Sequence, residues 1–333
     1  MVTICVDAMG GDTGPEVVLE GIAEALDADA DLQVLVAGND EVVTPFCQGH
    51  ERALPLVTTE AIAMDEHPAQ AVRAKRDSSI VRGCQAVRHG EADGFFSAGS
   101  TGAILAAATM TVGRIKGIRR PALATAIPGS TGRRTVMIDM GANAQTTSEM
   151  IVQFAHMGRA YAKVTLGVED PKVALLCNGE EETKGSDQAL EYHQALVQAG
   201  SWFAGNAEGT DLLAGRYDVI VSDGFTGNVA LKTLEGTAKY IVGELKKAVK
   251  SSKLMAIGAL LLKPALKKVA ADLSGDEYGG AVLLGLKAPV IIGHGATSAT
   301  AVRNGTLVCA KAVRAGLVQR IEADVEAEVE EAS

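Results

Sequence analysis

Two short turns, rich in glycine and small polar residues, each follow an apolar run of this sequence and could bind an anion. Asp7–Asp12 (DAMGGD) follows Val2–Val6, and Ser97–Ala103 (SAGSTGA) follows a run that begins at Gly94. Glycine lets the backbone approach a ligand closely, and the N–H groups at a helix start attract negative charge. The predicted phosphate or substrate contacts here are Gly10, Gly11, Asp12, Gly99, Ser100, Thr101 and Gly102.

Further turns of the same kind add side chains that donate hydrogen bonds or carry charge. Lys184 lies in Asn178–Gly185 (NGEEETKG), and we expect its ammonium to neutralise phosphate or a developing oxyanion. Asn143 ends the turn DMGAN, and Asn228 ends the turn DGFTGN. Both amides are predicted to donate to phosphate or to a carbonyl oxygen.

The remaining candidates lie in or near these turns. Asp223 begins DGFTGN and is predicted to orient Lys184 or a bound water, while Thr226 is predicted to contact the substrate. His294 lies between two glycines at the end of Val290–Ile292, where an imidazole could assist proton transfer.

Several common catalytic signatures are missing from the sequence. No G-x-G-x-x-G follows the first apolar run, and there is no G-x-x-x-x-G-K-[ST] or G-x-S-x-G. The His and Cys residues show no zinc-ligand spacing. We therefore expect no metal and no cofactor, and a reaction whose nucleophile arrives as a substrate.

Apolar runs alternate with helical patterns along the chain, which predicts an α/β fold with a mostly parallel sheet. Ala122–Ile127 and Val136–Asp139 are among the runs expected to form buried parallel strands, and Asp187–Ala199 is among the predicted helices. The carboxyl ends of parallel strands meet at one edge of a sheet. All the turns above are therefore expected to converge on one crevice.

Composition supports a folded enzyme that does not bind nucleic acid. The chain has 31 Lys+Arg and 41 Asp+Glu, a net charge of -10, and 47% hydrophobic residues. A nucleic-acid binder would carry a basic surplus, and a disordered chain would be less apolar. We expect one catalytic domain over residues 1–320, a helical insertion over 245–271 and a flexible acidic tail over 321–333.

The insertion is basic and has an apolar centre, Leu254–Leu262 (LMAIGALLL), too short to span a bilayer, which takes about 20 residues. It could be a dimer-interface or core helix, or a membrane-facing tip whose lysines meet anionic lipid. Its lysines could also meet an acidic carrier protein, as could the arginine clusters around Arg73 and Arg119. The predicted contact residues are Lys253, Leu254, Ile257, Leu260, Leu261, Leu262 and Lys263.

Taken together, the motifs resemble those of the bacterial phosphate acyltransferases of phospholipid synthesis. The similar segments run in family order through most of the chain, and DGFTGNV with the following LKTLEG is the most specific. They are DAMGGD, SAGSTGA, DMGAN, NGEEETKG, GNAEG, DGFTGNVALKTLEG, YGGAVLLG and VIIGHG.

The resemblance implies transfer of a long-chain acyl group from acyl-carrier protein to inorganic phosphate. It also implies a three-layer α/β/α sandwich, similar to the isopropylmalate dehydrogenase and phosphotransacetylase folds, with a protruding helical hairpin. The implied protein is a cytoplasmic homodimer, peripherally bound to the inner face of the cell membrane. Its product would pass to a membrane-bound glycerol-3-phosphate acyltransferase.

Two other functions fit the residues less well. A metal-dependent decarboxylating dehydrogenase on a related fold would need an aspartate cluster and a nicotinamide site. A non-catalytic scaffold would bind acyl-carrier protein without turning it over.

Overall fold

The computed structural model of the chain describes residues 1–130, 132–250, 262 and 279–331. The strands are β1 (Val2–Asp7), β2 (Leu32–Gly38), β3 (Ala53–Val57), β4 (Gly94–Ser97), β5 (Ala122–Pro128), β6 (Arg134–Ile138), β7 (Val173–Leu176), β8 (Phe203–Ala207), β9 (Val219–Val221), β10 (Ala281–Leu284) and β11 (Val290–Ile292). The helices are α1 (Pro15–Ala28), α2 (Asp40–Gln48), α3 (Pro68–Ala74), α4 (Ser79–Arg88), α5 (Thr101–Thr111), α6 (Ser148–Leu166), α7 (Asp187–Ala199), α8 (Gly224–Lys250), α9 (Ala299–Arg314) and α10 (Leu317–Glu331), with a 3-10 turn at Gly209–Leu213.

These strands form one sheet in the order β3-β2-β1-β4-β11-β10-β5-β6-β9-β7-β8. Most neighbours are parallel, as predicted, but β10 is antiparallel to β11 and to β5, and β5 is antiparallel to β6. The predicted parallel strand over Ala122–Ile127 is therefore wrong in direction. A buried apolar run looks the same whichever way its neighbours run.

Helices cover both faces of the sheet, so the predicted three-layer α/β/α sandwich is confirmed. On one face Ile22 of α1, Phe154 of α6 and Val302 of α9 belong to one buried cluster. On the other face Ile80 of α4 and Ile104 of α5 belong to a second cluster. The sheet lies between them as the common core.

Local signals set several helix boundaries. Thr147 accepts a hydrogen bond from the Met150 N–H at 3.4 Å at the start of α6, and Gly167 ends that helix in a left-handed conformation with φ 71°. Ser186 accepts from the Ala189 N–H at 3.2 Å at the start of α7. The structure confirms the predicted bounds of α7.

The acidic C-terminus is helical where the sequence predicts a flexible tail. α10 runs from Leu317 to Glu331, and Leu317, Ile321 and Val325 are buried on one face of it. A spacing of four residues places these side chains in one stripe, which the surrounding glutamates obscure. The tail prediction is thus wrong for residues 321–325.

α8 is a 27-residue helix, about 40 Å long at 1.5 Å per residue. It includes residues 245–250 of the predicted insertion, and Leu262 is exposed. In the described ranges, no helix is both long enough and apolar enough to cross a bilayer. The other predicted contact residues of the insertion lie outside the described residues: Lys253, Leu254, Ile257, Leu260, Leu261 and Lys263.

Candidate active site

The turns after β1, β4 and β11 meet at one edge of the sheet, and we call them the β1–β4–β11 cradle (Asp7–Asp12, Ser97–Gly102 and Gly293–Gly295). The Asp12 N–H donates to the Gly295 carbonyl at 2.8 Å, and the Gly293 N–H donates to the Ser97 carbonyl at 2.8 Å. The structure therefore brings together the predicted turns that contain Gly10, Gly99 and His294.

Glycine is required at two positions of this cradle because neighbouring segments lie too close to leave room for a side chain. A Cβ at Gly10 would lie 2.7 Å from the Gly99 nitrogen, and a Cβ at Gly102 would lie 2.6 Å from Cγ of Pro68 in α3. Real Cβ atoms do not approach other atoms so closely. Any larger residue at these positions would push the turns apart.

The start of α5 leaves backbone donors free inside this cradle. Ser100 makes no side-chain capping bond at the start of α5, and α1 to α4 also start without one, whereas Thr147, Ser186 and Ser298 cap α6, α7 and α9. Within the described part of the chain, the N–H groups of Thr101, Gly102 and Ala103 have no hydrogen-bond acceptor. Uncapped N–H groups at a helix start form a site for an anion.

A buried aspartate supports the cradle from below. The Ser97 hydroxyl donates to Asp7 Oδ2 at 2.7 Å and accepts from the Gly99 N–H at 3.0 Å, and the Met9 N–H donates to Asp7 Oδ1 at 3.0 Å. Burial raises the pKa of the Asp7 carboxyl, and hydrogen bonds from its neighbours oppose that rise. Asp7 thus fixes both glycine turns.

His294 is exposed at the rim of the cradle. Its Nδ1 lies 3.2 Å from the Ala296 nitrogen and accepts that N–H. In the neutral ring the proton is then on Nε2, which is free to donate to a ligand.

The turns after β6 and β9 meet at the other edge, and we call them the β6–β9 turn (Asp139–Asn143 and Asp223–Asn228). Here the buried Asp139 carboxylate accepts from the N–H groups of Leu123 at 2.9 Å, Ala142 at 3.0 Å and Asn143 at 2.8 Å, and from Gly141 at 3.2 Å. Burial raises the pKa of Asp139, and these bonds oppose the rise. The ring of backbone donors already holds an anion.

Three of the predicted site residues, Asn143, Asp223 and Thr226, hold these turns together. Asn143 Nδ2 donates both its hydrogens, to Asp139 Oδ2 at 2.9 Å and to the Pro121 carbonyl at 2.8 Å. Asp223 accepts from the Thr226 N–H at 2.8 Å and hydroxyl at 2.7 Å, which caps α8. The described residues show no hydrogen bond or ion pair between Asp223 and Lys184, so the predicted orienting contact is not formed.

Asn228 differs from these residues because its amide is exposed and has no partner among the described residues. Its Cγ would lie 3.5 Å from a Cβ built on Gly141, so the side chain rests on that glycine. α8 starts against β6 so tightly that a Cβ at Gly227 would lie 1.9 Å from the Asp139 carbonyl oxygen. The amide is therefore held at a fixed place.

Lys184 lies in the exposed turn after β7, and its side chain packs along Gly179, where a Cβ would lie 2.6 Å from Lys184 Cγ. Its backbone N–H donates to the Glu181 carbonyl at 3.0 Å. In the part of the chain that the structure describes, its ammonium forms no ion pair or hydrogen bond.

The predicted turns do not converge on one crevice. β1, β4 and β11 run one way and β6, β7 and β9 run the other, because three antiparallel pairings separate the two groups. β4 and β9 are five strand positions apart, about 24 Å at 4.8 Å per strand. His294 thus lies with the cradle, at one edge, and Lys184, Asp223 and Asn228 lie at the other.

Sequence analysis missed the two aspartates that organise these edges. Asp7 and Asp139 each stand directly after an apolar run, and both are buried. The position at a strand end was the available signal. The sequence does not show which of the two carboxylates accepts most of the N–H groups around it, because this depends on contacts between turns that are distant along the chain.

Comparison with known proteins gives the family. The model of the family described as "Fatty acid synthesis protein" matches residues 2–320. A phosphate acyltransferase of Limosilactobacillus reuteri is 46% identical over 323 residues, covering 95% of this chain and 94% of the relative. One of Limosilactobacillus fermentum is 50% identical over 294 residues, covering 86% and 85%.

Solved structures agree on the fold. A phosphotransacetylase from Streptococcus pyogenes superposes with a TM-score of 0.61 at 18% identity, covering 94% of each chain. A branched-chain phosphotransacylase from Enterococcus faecalis gives 0.54 at 14% identity, covering 96% of this chain and 99% of that one. The sequence matches carry the assignment: this chain belongs to the phosphate acyltransferase family and is an enzyme that transfers an acyl group to phosphate.

Proposed function

We propose that the acyl donor is a long-chain thioester of acyl-carrier protein and that inorganic phosphate binds in the β1–β4–β11 cradle. A phosphate oxygen attacks the thioester carbonyl carbon and a C–O bond forms. The C–S bond then breaks, and its electron pair leaves with sulfur as the carrier's thiolate. The products are acyl phosphate and free carrier protein.

The observation that carries this proposal is the uncapped start of α5. The unpartnered N–H groups of Thr101, Gly102 and Ala103 supply donors for an oxyanion without adding a negative charge. No acidic residue lies in the first turn of α5, so the helix start itself adds no negative charge that would repel phosphate. His294 Nε2 at the rim is positioned to add a further donor.

This chemistry needs orientation and charge stabilisation more than a strong base. Phosphate is already anionic at neutral pH, and a thiol with pKa near 8.5 leaves readily. Backbone donors aimed at the developing charge supply the main catalytic effect. No acyl-enzyme intermediate is required.

Asn228 and Lys184 are assigned to the donor substrate. Their free amide and ammonium lie at the opposite edge from the cradle, about five strand positions away. The long pantetheine arm of the carrier protein could lie between the β6–β9 turn and the cradle, with the amides of the arm hydrogen-bonded near Asn228. The acyl group at its end would then reach the cradle.

Incubation of the enzyme with acyl-carrier-protein thioester, with and without phosphate, tests the reaction directly. We expect acyl phosphate, trapped as a hydroxamate, and free carrier thiol in equal amounts, only when phosphate is present. Thiol release without phosphate, or no release at all, would contradict the proposal.

We also propose that a second copy of the chain covers α8. This helix exposes Phe225, Val229, Tyr240, Ile241 and Leu245, large apolar side chains that a monomer would leave in water. Light scattering should give a dimer for the wild type and a monomer for Tyr240→Glu, Ile241→Glu. A monomeric wild type would contradict this.

Peripheral membrane association is a further proposal, supported by the apolar and basic sequence of Leu254–Leu262 with Lys253 and Lys263. Acyl phosphate is amphiphilic and labile, so its release at a membrane to a glycerol-3-phosphate acyltransferase is chemically favourable. Anionic liposomes should sediment the wild type but not Leu260→Glu, Leu261→Glu. Equal sedimentation would favour a role in the dimer.

A further inference from the structure

The loop between α5 and β5 lies in a part of the sequence without acids. From Gly94 to Ile138 there is no Asp or Glu, although the whole chain contains 41 of them. Within this stretch Arg114, Lys116, Arg119 and Arg120 fall close together, and all of them are exposed. An acidic protein thus presents one strongly basic loop.

The loop is held in place from inside. Arg114 donates to the carbonyls of Ile118, at 3.2 Å, and Arg119. The amide of Gln153 on α6 donates to the Gly117 carbonyl at 2.9 Å and accepts from the Arg119 N–H at 2.9 Å. A loop fixed in this way loses little entropy when it binds a partner.

Two of the cations remain available for a partner. Arg119 forms an ion pair with Glu149 on α6, and Arg114 is used by the loop itself. Lys116 and Arg120 form no hydrogen bond or ion pair with the described residues. The surface therefore has a net positive charge that nothing in its own surroundings neutralises.

The loop also borders a cleft of about 620 Å³, whose other wall is the start of α6. Its single carboxylate belongs to Glu149, already paired with Arg119. Pro121, directly after Arg120, accepts the hydrogen bond from Asn143, so the loop and the β6–β9 turn are in contact. A partner bound here would therefore lie beside the turn that contains Asn143.

We propose that this loop is the docking surface for the acidic carrier protein that brings the acyl group, with Lys116 and Arg120 as its main contacts. The inference rests on the proposed function, since it assumes a carrier-bound donor. Docking at this edge places the carrier protein next to the residues assigned to its arm. The arm then extends past Asn228 towards the β1–β4–β11 cradle.

Charge reversal at both cations tests the surface. We expect Lys116→Glu, Arg120→Glu to weaken binding of fluorescently labelled acyl-carrier protein, measured by anisotropy, by at least about tenfold. The KM for phosphate should not change. Binding to the wild type should weaken as salt is raised, and the variant should lose that dependence.

Lys311→Glu on α9, an exposed lysine on a helix that packs against α1, is the matched control and should bind like the wild type. Lys116→Arg, Arg120→Lys keeps the charges and should also bind normally, which separates the loss of charge from the loss of the original side chains, while the unchanged KM for phosphate shows that the charge-reversed variant is folded. Unchanged affinity of the charge-reversed variant, or a raised KM for phosphate instead, would overturn the docking surface. If the wild type forms no acyl phosphate, the proposed function fails, whatever the binding result.

Discussion

In both the β1–β4–β11 cradle and the β6–β9 turn, an apolar strand ends in a buried aspartate and a glycine-rich turn follows. The difference is where the carboxylate points. Asp139 accepts the N–H groups of its own turn, including those of Ala142 and Asn143. Asp7 accepts the Ser97 hydroxyl and the Met9 N–H of its own turn, and the N–H groups at the start of α5 have no acceptor among the described residues. A ring of backbone donors is available to a ligand only where the chain's own carboxylate does not fill it.

The largest expected effect concerns stability and the N–H groups that Asp139 accepts in the β6–β9 turn. Asp139→Ala leaves the buried N–H group of Leu123 and the half-buried N–H groups of Ala142 and Asn143 without an acceptor, so we expect it to lower the free energy of unfolding by about 3–5 kcal/mol. Urea denaturation measures this. Asp223→Ala, which removes only a helix cap, should cost about 1 kcal/mol. Equal losses would mean that Asp139 is no more than a cap.

The next effect concerns catalytic activity and the β1–β4–β11 cradle. Gly10→Ala forces a Cβ against the Gly99 nitrogen and should displace the turn that leads into α5 and its free N–H groups. We expect turnover about 100-fold lower, with a raised KM for phosphate, because misplacing a donor to an oxyanion costs about as much as losing it. Gly209→Ala is the matched control, since a Cβ there meets nothing within 4 Å. A normal KM for phosphate in Gly10→Ala would place the phosphate elsewhere.

A smaller effect tests whether the β6–β9 turn and the β1–β4–β11 cradle bind different substrates. Asn228→Ala and Lys184→Ala each remove one exposed polar group, so we expect the KM for acyl-carrier-protein thioester to rise about tenfold, as for a lost hydrogen bond to a charged or well-placed group. The KM for phosphate should stay as in the wild type, and so should the thermal midpoint. A raised KM for phosphate would show that both edges hold the same ligand.

The smallest effect is a pH dependence. Because burial raises the folded-state pKa of Asp7, the native state holds this proton more tightly than the unfolded chain does. Its contribution to stability therefore falls as pH rises from about 4 through the raised pKa. Asp7→Asn removes this titration. The free energy of unfolding of the variant, relative to that of the wild type, should therefore increase as pH rises. A constant difference across pH 4–8 would argue against a raised pKa.

Sequence patterns predicted the bounds of helices better than the direction of strands. The bounds of α7 follow from the apolar spacing and the preceding Ser186, which caps its first turn. The reversal at β5 could not be predicted, because Ala122–Ile127 is equally apolar in either direction. That reversal is why turns expected in one crevice lie at two edges. α10 was missed because its acidic composition obscured the stripe of Leu317, Ile321 and Val325.

The candidate site was predictable in its parts and not in its assembly. The turns that contain Gly10, Gly99 and His294 do meet, since β1, β4 and β11 are neighbours in the sheet. Asn143 and Asn228 look alike in sequence, each ending a glycine-containing turn. Only the fold shows that Pro121 and Asp139 use the first amide and that the second is free.

The core fixes the chain differently on the two sides of the stretch 251–278. On one side the start of α8 packs against the β6–β9 turn, and the helix ends at Lys250, about 40 Å farther along its axis. On the other side Gly279 and Gly280 pack directly against Gly305 and Ile292 beside the cradle. A change in the length of α8 beyond its first turns would therefore leave both packed regions as they are, so the reach of this helix can be altered without repacking the sheet.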